Sequence, residues 1–197
     1  MNFLFFLTSL LFTFPVVAKT VLVMGDSLTE GYKLAKEEAY PYLMEQELKK
    51  KHPDLKIINA GISGSTSASA VRRLDWYIKI KPEIMILALG ANDGLRGLKV
   101  EETSKNLEAV ITKAKAAGMK VIMGGMKMPP NYGKEYSDKF NGMFPALAKK
   151  HQLKFIPFIL EGVAANPKLN LPDGIHPNPE GHKVMSKTVM KFLETEL

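Results

Sequence analysis

The segment Ile84–Leu89, "IMILAL", is the feature that most limits what this chain can become. An unbroken apolar run, without alternation, suits a strand covered on both faces rather than one with a wet side. Such a strand belongs inside a parallel sheet, and parallel neighbours need crossovers long enough to hold a helix. The rest of the chain supplies them. Val21–Met24, Leu55–Asn59, Lys120–Met123 and Phe155–Phe158 read as further short strands. Between them Pro41–Lys50, Ser67–Lys79, Val100–Ala117 and Ser137–Lys150 read as helices, with Pro179–Glu196 as a closing one. In the third helix Thr103, Leu107, Val110, Ile111 and Ala114 recur at helical spacing, and Gly118 is placed to end it. Strand-helix alternation of this kind implies an α/β protein, a parallel sheet with helices on both sides.

A length of 197 residues fits one domain. The first eighteen residues stand apart: they are apolar, carry no charged side chain and end in Val16-Val17-Ala18. That pattern predicts a secretory signal peptide over 1–18, a single domain over 19–197 and a secreted or periplasmic location. The apolar run is shorter than the roughly 20 residues a spanning helix needs. The absence of Cys removes disulfides, thiolate chemistry and lipid attachment through Cys. The net charge of +7 comes from scattered lysines, with clusters at Lys49–Lys51 and Lys149–Lys150. Both clusters end helical patterns, where cations suit the helix dipole. No Arg stripe with interleaved aromatics points to nucleic acid.

In parallel sheets ligands bind at the carboxyl ends of the strands. The loops there are polar and Gly-rich: "GDS" after the first strand, "NAGISGSTSAS" after the second, "GANDGLRG" after the third, "GGMKMPPNYG" after the fourth, and a long segment ending "LPDGIHPNPEGH" after the fifth. In the last, Asp173 and His176 lie three apart, a spacing that makes their side chains neighbours within one turn. A carboxylate there fixes the imidazole tautomer and leaves the other ring nitrogen as a base. Pro177 keeps His176 out of helical geometry, and Asn178 caps the closing helix. Asp-Gly and Asn-Pro are also ordinary turn dipeptides.

Ser27 in Gly25-Asp26-Ser27 reads as a turn residue or as a nucleophile. Beside a His-Asp pair the second reading gains, because a Ser hydroxyl needs a base and His176 is available. Asp26, as the immediate neighbour of Ser27, is expected to make a local hydrogen bond. Attack on a carbonyl creates an oxyanion, and three donors are candidates for it: the Ser27 N–H, the Gly64 N–H and the Asn92 carboxamide. Asn92-Asp93-Gly94 is also turn composition, and Gly61 and Gly64 are also ordinary loop glycines.

Together and in this order, "GDSLTEGY", "GISGST", "GANDG" and "DGIHPN" resemble the four signature blocks of the GDSL or SGNH hydrolases. The family's four letters fall on Ser27, Gly64, Asn92 and His176, and the resemblance runs from Thr20 to the C-terminus. "GANDGLRG" and "MPPNYG" are similar to the small secreted bacterial thioesterases, arylesterases and lysophospholipases. The resemblance implies a three-layer α/β/α sandwich with a five-stranded parallel sheet (the flavodoxin-like SGNH hydrolase fold) and a Ser27-Asp173-His176 triad. It implies a Ser27, Gly64 and Asn92 oxyanion hole, no metal or other cofactor, and small acyl esters or thioesters as substrates. A lysophospholipid substrate would entail transient contact with lipid. Two other expectations stay open: a polysaccharide deacetylase of the same family, and a non-catalytic carbohydrate- or lipid-binding module on this fold. His52, His151 and His182 lack metal-ligand spacing, and His182 is expected to pack in the closing helix. Leu95, Tyr132 and Ile175, apolar or aromatic residues in the strand-end loops, are the expected substrate-binding side chains, with Leu28, Met128 and Pro129 beside them.

Overall fold

The computed structural model describes residues 19–197, so the expected signal segment lies outside the described residues. The elements follow one another as β1 (Thr20–Gly25), α1 (Ser27–Glu30), α2 (Tyr40–Leu48), β2 (Lys56–Gly61), α3 (Ala70–Ile78), β3 (Ile84–Ala88), α4 (Ala91–Leu95), α5 (Val100–Ala116), β4 (Lys120–Gly124), α6 (Lys134–His151), β5 (Lys154–Ile156) and α7 (Pro179–Leu193). The strands form one five-stranded sheet in the order β2-β1-β3-β4-β5, every neighbouring pair parallel. Helix α2 packs on α7, while α3, α5 and α6 pack in a row. The result is an α/β/α sandwich.

The apolar run of β3 is buried along its whole length, as is β1 after its first residue. The core includes Tyr40, Phe140 and Phe144, among the largest fully buried side chains. The winding changes direction beside β1, since β2 lies on one side of it and β3 on the other. Loops after β1 and β3 therefore part at that point and leave a crevice. In the sheet Gly25 is level with Gly61 on one side and with Ala88 on the other. Three functional loops thus leave the sheet at the same height.

Several boundaries differ from the sequence expectation. The last strand ends at Ile156 rather than Phe158, because Pro157 has no N–H to offer the ladder. Helix α6 starts at Lys134 rather than Ser137. Ser137 is buried in the first turn, where its hydroxyl donates to the Pro129 carbonyl at 2.9 Å. Residues 67–69 form a 3-10 turn before α3, and residues 194–196 another after α7. Helices α1 and α4 have no counterpart in the sequence reading. Both are too short to show a period, and Asn92-Asp93-Gly94, of turn composition, is helical here.

Close packing at the strand ends gives a first prediction. A Cβ on Gly61 would sit 2.1 Å from the Glu30 backbone nitrogen, an atom that cannot swing aside. Gly61→Ala is expected to cost at least about 1–3 kcal/mol, the usual penalty of overpacking. Urea denaturation of the variant checks it; an unchanged midpoint would contradict the packing.

Candidate active site

Ser27 follows Asp26, the cap of α1. The Asp26 carboxylate accepts from the Leu28 N–H at 3.0 Å, the local bond expected for it. On the far side of the crevice, the segment before α7 is pinned by a bridge between Asn170 and Pro177 and by the Asn178 cap, which accepts from the Gly181 N–H. Within it the Asp173 carboxylate takes three bonds. One oxygen accepts from the backbone of Ile175 at 3.1 Å and of His176 at 3.0 Å. The other faces His176 Nδ1 at 3.0 Å.

The remaining ring nitrogen, His176 Nε2, is 3.0 Å from Ser27 Oγ. Burial raises the Asp173 pKa, but the hydrogen bonds from His176 and Ile175 outweigh it and hold the carboxyl below its ordinary value. An ionised carboxylate only accepts, so Nδ1 carries the ring proton and Nε2 is left to accept from the Ser27 hydroxyl. The Tyr32 ring lies against His176 with centroids 4.3 Å apart, which limits how the imidazole can turn. Sequence offered no signal for that contact, because it joins the first loop to the last.

The three expected oxyanion donors come from the loops after β1, β2 and β3. Gly64 has φ +74°, a left-handed conformation that favours glycine. Among the described residues, neither the Ser27 N–H nor the Gly64 N–H donates to a protein acceptor. Asn92 spends one carboxamide hydrogen on the Ser65 carbonyl at 3.0 Å, which orients the group and leaves the other hydrogen free. The Gly64 loop is held from three sides. Glu30 accepts from the Ser63 N–H at 2.7 Å, Arg96 donates to the Gly64 carbonyl at 2.9 Å, and Asp93 accepts from the N–H of Ser67 at 2.9 Å and from its hydroxyl at 2.6 Å. Asp93 is buried and also faces Thr103 at 3.2 Å. Glu30, Asp93 and Arg96 escaped the sequence reading, since acids and bases in loops are common and their partners are distant in sequence.

These groups open onto a cleft of about 350 Å³. Leu95, Tyr132 and Ile175 all line it, as do Leu28, Met128 and Pro129. The structure adds a wall that sequence did not single out, made by Met126, Phe158, Leu160 and Ala164. Lys127 lies over the Phe158 ring at 4.9 Å.

Residues 23–184 match the GDSL-like Lipase/Acylhydrolase family. The chain belongs to that family. Among curated relatives, an arylesterase of Vibrio mimicus is 37% identical over 181 residues, covering 91% of this chain and 90% of the relative. Thioesterase 1/protease 1/lysophospholipase L1 of Escherichia coli K12 is 34% identical over 191 residues, covering 96% and 90%. Among solved structures, TesA superposes with a TM-score of 0.87 at 34% identity, covering 91% of this chain and all (100%) of that one. The psychrotrophic esterase EstA from Pseudoalteromonas sp., solved inhibited by monoethylphosphonate, gives 0.85 at 32% identity, covering 90% and 97%.

His182 is buried in α7, as expected for a packing residue. Its Nδ1 accepts from the Tyr40 N–H at 3.1 Å. Burial, then the nearby His176, lower its pKa to about 4. A depressed base is neutral when folded, so its stabilising contribution is full above the unfolded value and is lost as pH falls through about 4. The size is about 3 kcal/mol. Asp26 works against it: burial raises that carboxyl to about 6, so its contribution is full at low pH and is lost as pH rises through about 6. His182→Gln should therefore show a stability deficit that grows from acid to neutral pH and then levels off. Thermal melts of both proteins across that range check it; a deficit independent of pH would contradict the buried neutral imidazole.

Proposed function

We propose that the protein hydrolyses carboxylic esters and thioesters through a covalent acyl-enzyme on Ser27. The observation that carries this reading is one imidazole spanning Ser27 Oγ and the Asp173 carboxylate, with 3.0 Å on each side. His176 Nε2 takes the hydroxyl proton as Oγ attacks the acyl carbon. The Asp173 carboxylate stabilises the imidazolium that forms and holds its orientation. The Ser27 N–H, the Gly64 N–H and the free Asn92 N–H receive the developing oxyanion. His176 then gives its proton to the leaving alcohol or thiol. In the second half it deprotonates water, which attacks the acyl-enzyme and releases the acid. The family and the esterase and thioesterase names of its relatives support hydrolysis of ester bonds.

The cleft supports a medium-length acyl group. Its walls are largely apolar, and each methylene buried there contributes up to about 0.8 kcal/mol. Leu95, 38% exposed at its rim, is in place to close over the chain. This favours acyl esters over the acetyl groups of a polysaccharide deacetylase. The apolar segment over 1–18, ending in Val16-Val17-Ala18 ahead of a domain over 19–197, supports secretion or a periplasmic location. No cofactor enters the mechanism.

Ser27→Ala should fold and hydrolyse nitrophenyl esters only at background, and a fluorophosphonate probe should label the wild type but not the variant. Retained turnover would overturn the nucleophile; a wild type that neither takes the label nor turns over any ester or thioester would favour a binding module. Asn92→Ala should lower kcat about 10²–10³-fold with a smaller change in KM. A rise in KM alone would make Asn92 a substrate-binding residue. Across esters from acetyl to dodecanoyl, kcat/KM should peak at medium length, and Leu95→Ala should move the profile. An outright preference for acetyl would turn the reading towards the deacetylase.

A further inference from the structure

Among the described residues, Arg73 is the side chain whose buried donors do not fit a purely structural role. It projects from α3 beneath the ends of β1 and β2. A single terminal nitrogen, Nη2, donates to the Gly25 carbonyl at 3.0 Å and also to the Ala60 carbonyl. Its Nε and Nη1 are buried and have no protein partner among the described residues. Unpaired buried donors cost stability, so an apolar side chain would suit this place better if packing were all that mattered.

The two carbonyls it joins are informative. Gly25 is two residues before Ser27, and Ala60 is four before Gly64. The parallel pairing of β1 with β2 ends at Gly25 and Gly61. Past that point only the Ile62 N–H, reaching the Gly25 carbonyl at 3.3 Å, continues the backbone link. We propose that Arg73 is a positioning residue for the reaction, a brace that sets the spacing between the Ser27 N–H and the Gly64 N–H and so the shape of the oxyanion hole. The inference rests on the reading of Ser27 as nucleophile. An oxyanion hole is sensitive to small displacements, because its donors must meet a charge that forms only during the reaction.

Arg73 has a second effect through charge. The buried Asp26 carboxylate caps the helix that carries Ser27, and Arg73 is the cation that favours its ionised form. The other groups acting on that site are Asp93 from α4, which opposes ionisation, and the Tyr40 hydroxyl from α2, which is bonded to Thr29 at 2.9 Å. Burial keeps the Tyr40 hydroxyl well above its ordinary pKa and therefore neutral. Without Arg73, Asp26 would take up a proton at higher pH and its cap on the Leu28 N–H would weaken.

The test is steady-state kinetics of Arg73→Met and Arg73→Lys on nitrophenyl octanoate from pH 5 to 9, with Ser27→Ala alongside and folded protein quantified by near-ultraviolet circular dichroism. Arg73→Met is expected to lose at least about tenfold in kcat with KM within about threefold, and the acid limb of its kcat/KM profile should move to higher pH. Arg73→Lys keeps a charge near Asp26 but lacks the planar fork, so its acid limb should stay near the wild-type position while kcat remains depressed. A kcat within about twofold of wild type in Arg73→Met, a loss confined to KM, or an unmoved acid limb would overturn the inference. If Arg73→Met does not fold, Arg73→Lys decides: wild-type kcat overturns it and a depressed kcat supports it. An active Ser27→Ala would instead overturn the nucleophile, whereas an inactive Ser27→Ala with a wild-type-like Arg73→Met overturns the brace alone.

Discussion

The register of three strands is the constraint on which the site depends. β1 is hydrogen-bonded on both sides, and Gly25 is level with Gly61 and Ala88. Backbone groups inside a buried parallel sheet must pair with one another, so they are not available for chemistry. Past the last paired residue those donors become free. The Ser27 and Gly64 N–H groups stand just beyond that limit, beside the Asn92 carboxamide. Because the strands end together, the segments that carry Ser27, Gly64 and Asn92 all leave the sheet at one level.

Two kinds of carboxylate serve the arrangement. Asp173 is partly exposed, and its bonds to His176 and Ile175 hold its pKa below the ordinary range. It remains an acceptor and orients the imidazole. Asp26 and Asp93 are buried and face backbone or hydroxyl donors. Asp93 joins the loop after β2 to α4 and, through Thr103, to α5. Buried carboxylates of this sort are costly to desolvate, but bonds to ionised groups are strong and directional. Their place at the strand ends, rather than in the middle of the sandwich, fits a role in fixing loops.

The cleft completes the division of labour. Its lining sets Ser27, Asn92 and His176 among apolar side chains that include Leu28, Leu95, Met126, Phe158 and Leu160. Ile175, between the acid and the base in sequence, is 52% exposed at this mouth. Tyr32 and Leu95 flank the reacting groups from separate loops.

By itself the sequence determined the fold class, the order of the strands and longer helices, and the Ser27, Asp173 and His176 group. An unbroken apolar strand, helical periodicities of more than two turns and four ordered blocks are local patterns, legible wherever they occur. Ser27, Asp173 and His176 were legible because their residue types are rare in that combination, and the 3.0 Å contacts show that the fold brings them together. Leu95, Tyr132 and Ile175 were legible as apolar residues in strand-end loops. Only the tertiary structure decided the rest. Helices α1 and α4 are too short for periodicity, and the partners of Asp93, Ser67 and Thr103, come from other elements. Helix α6 begins three residues before Ser137, whose hydroxyl donates to the Pro129 carbonyl. Tyr32 against His176, Glu30 on Ser63 and Arg73 across two strand ends join residues far apart in the chain. No local pattern marks such pairs, since what selects them is the space left when the sheet closes against its helices.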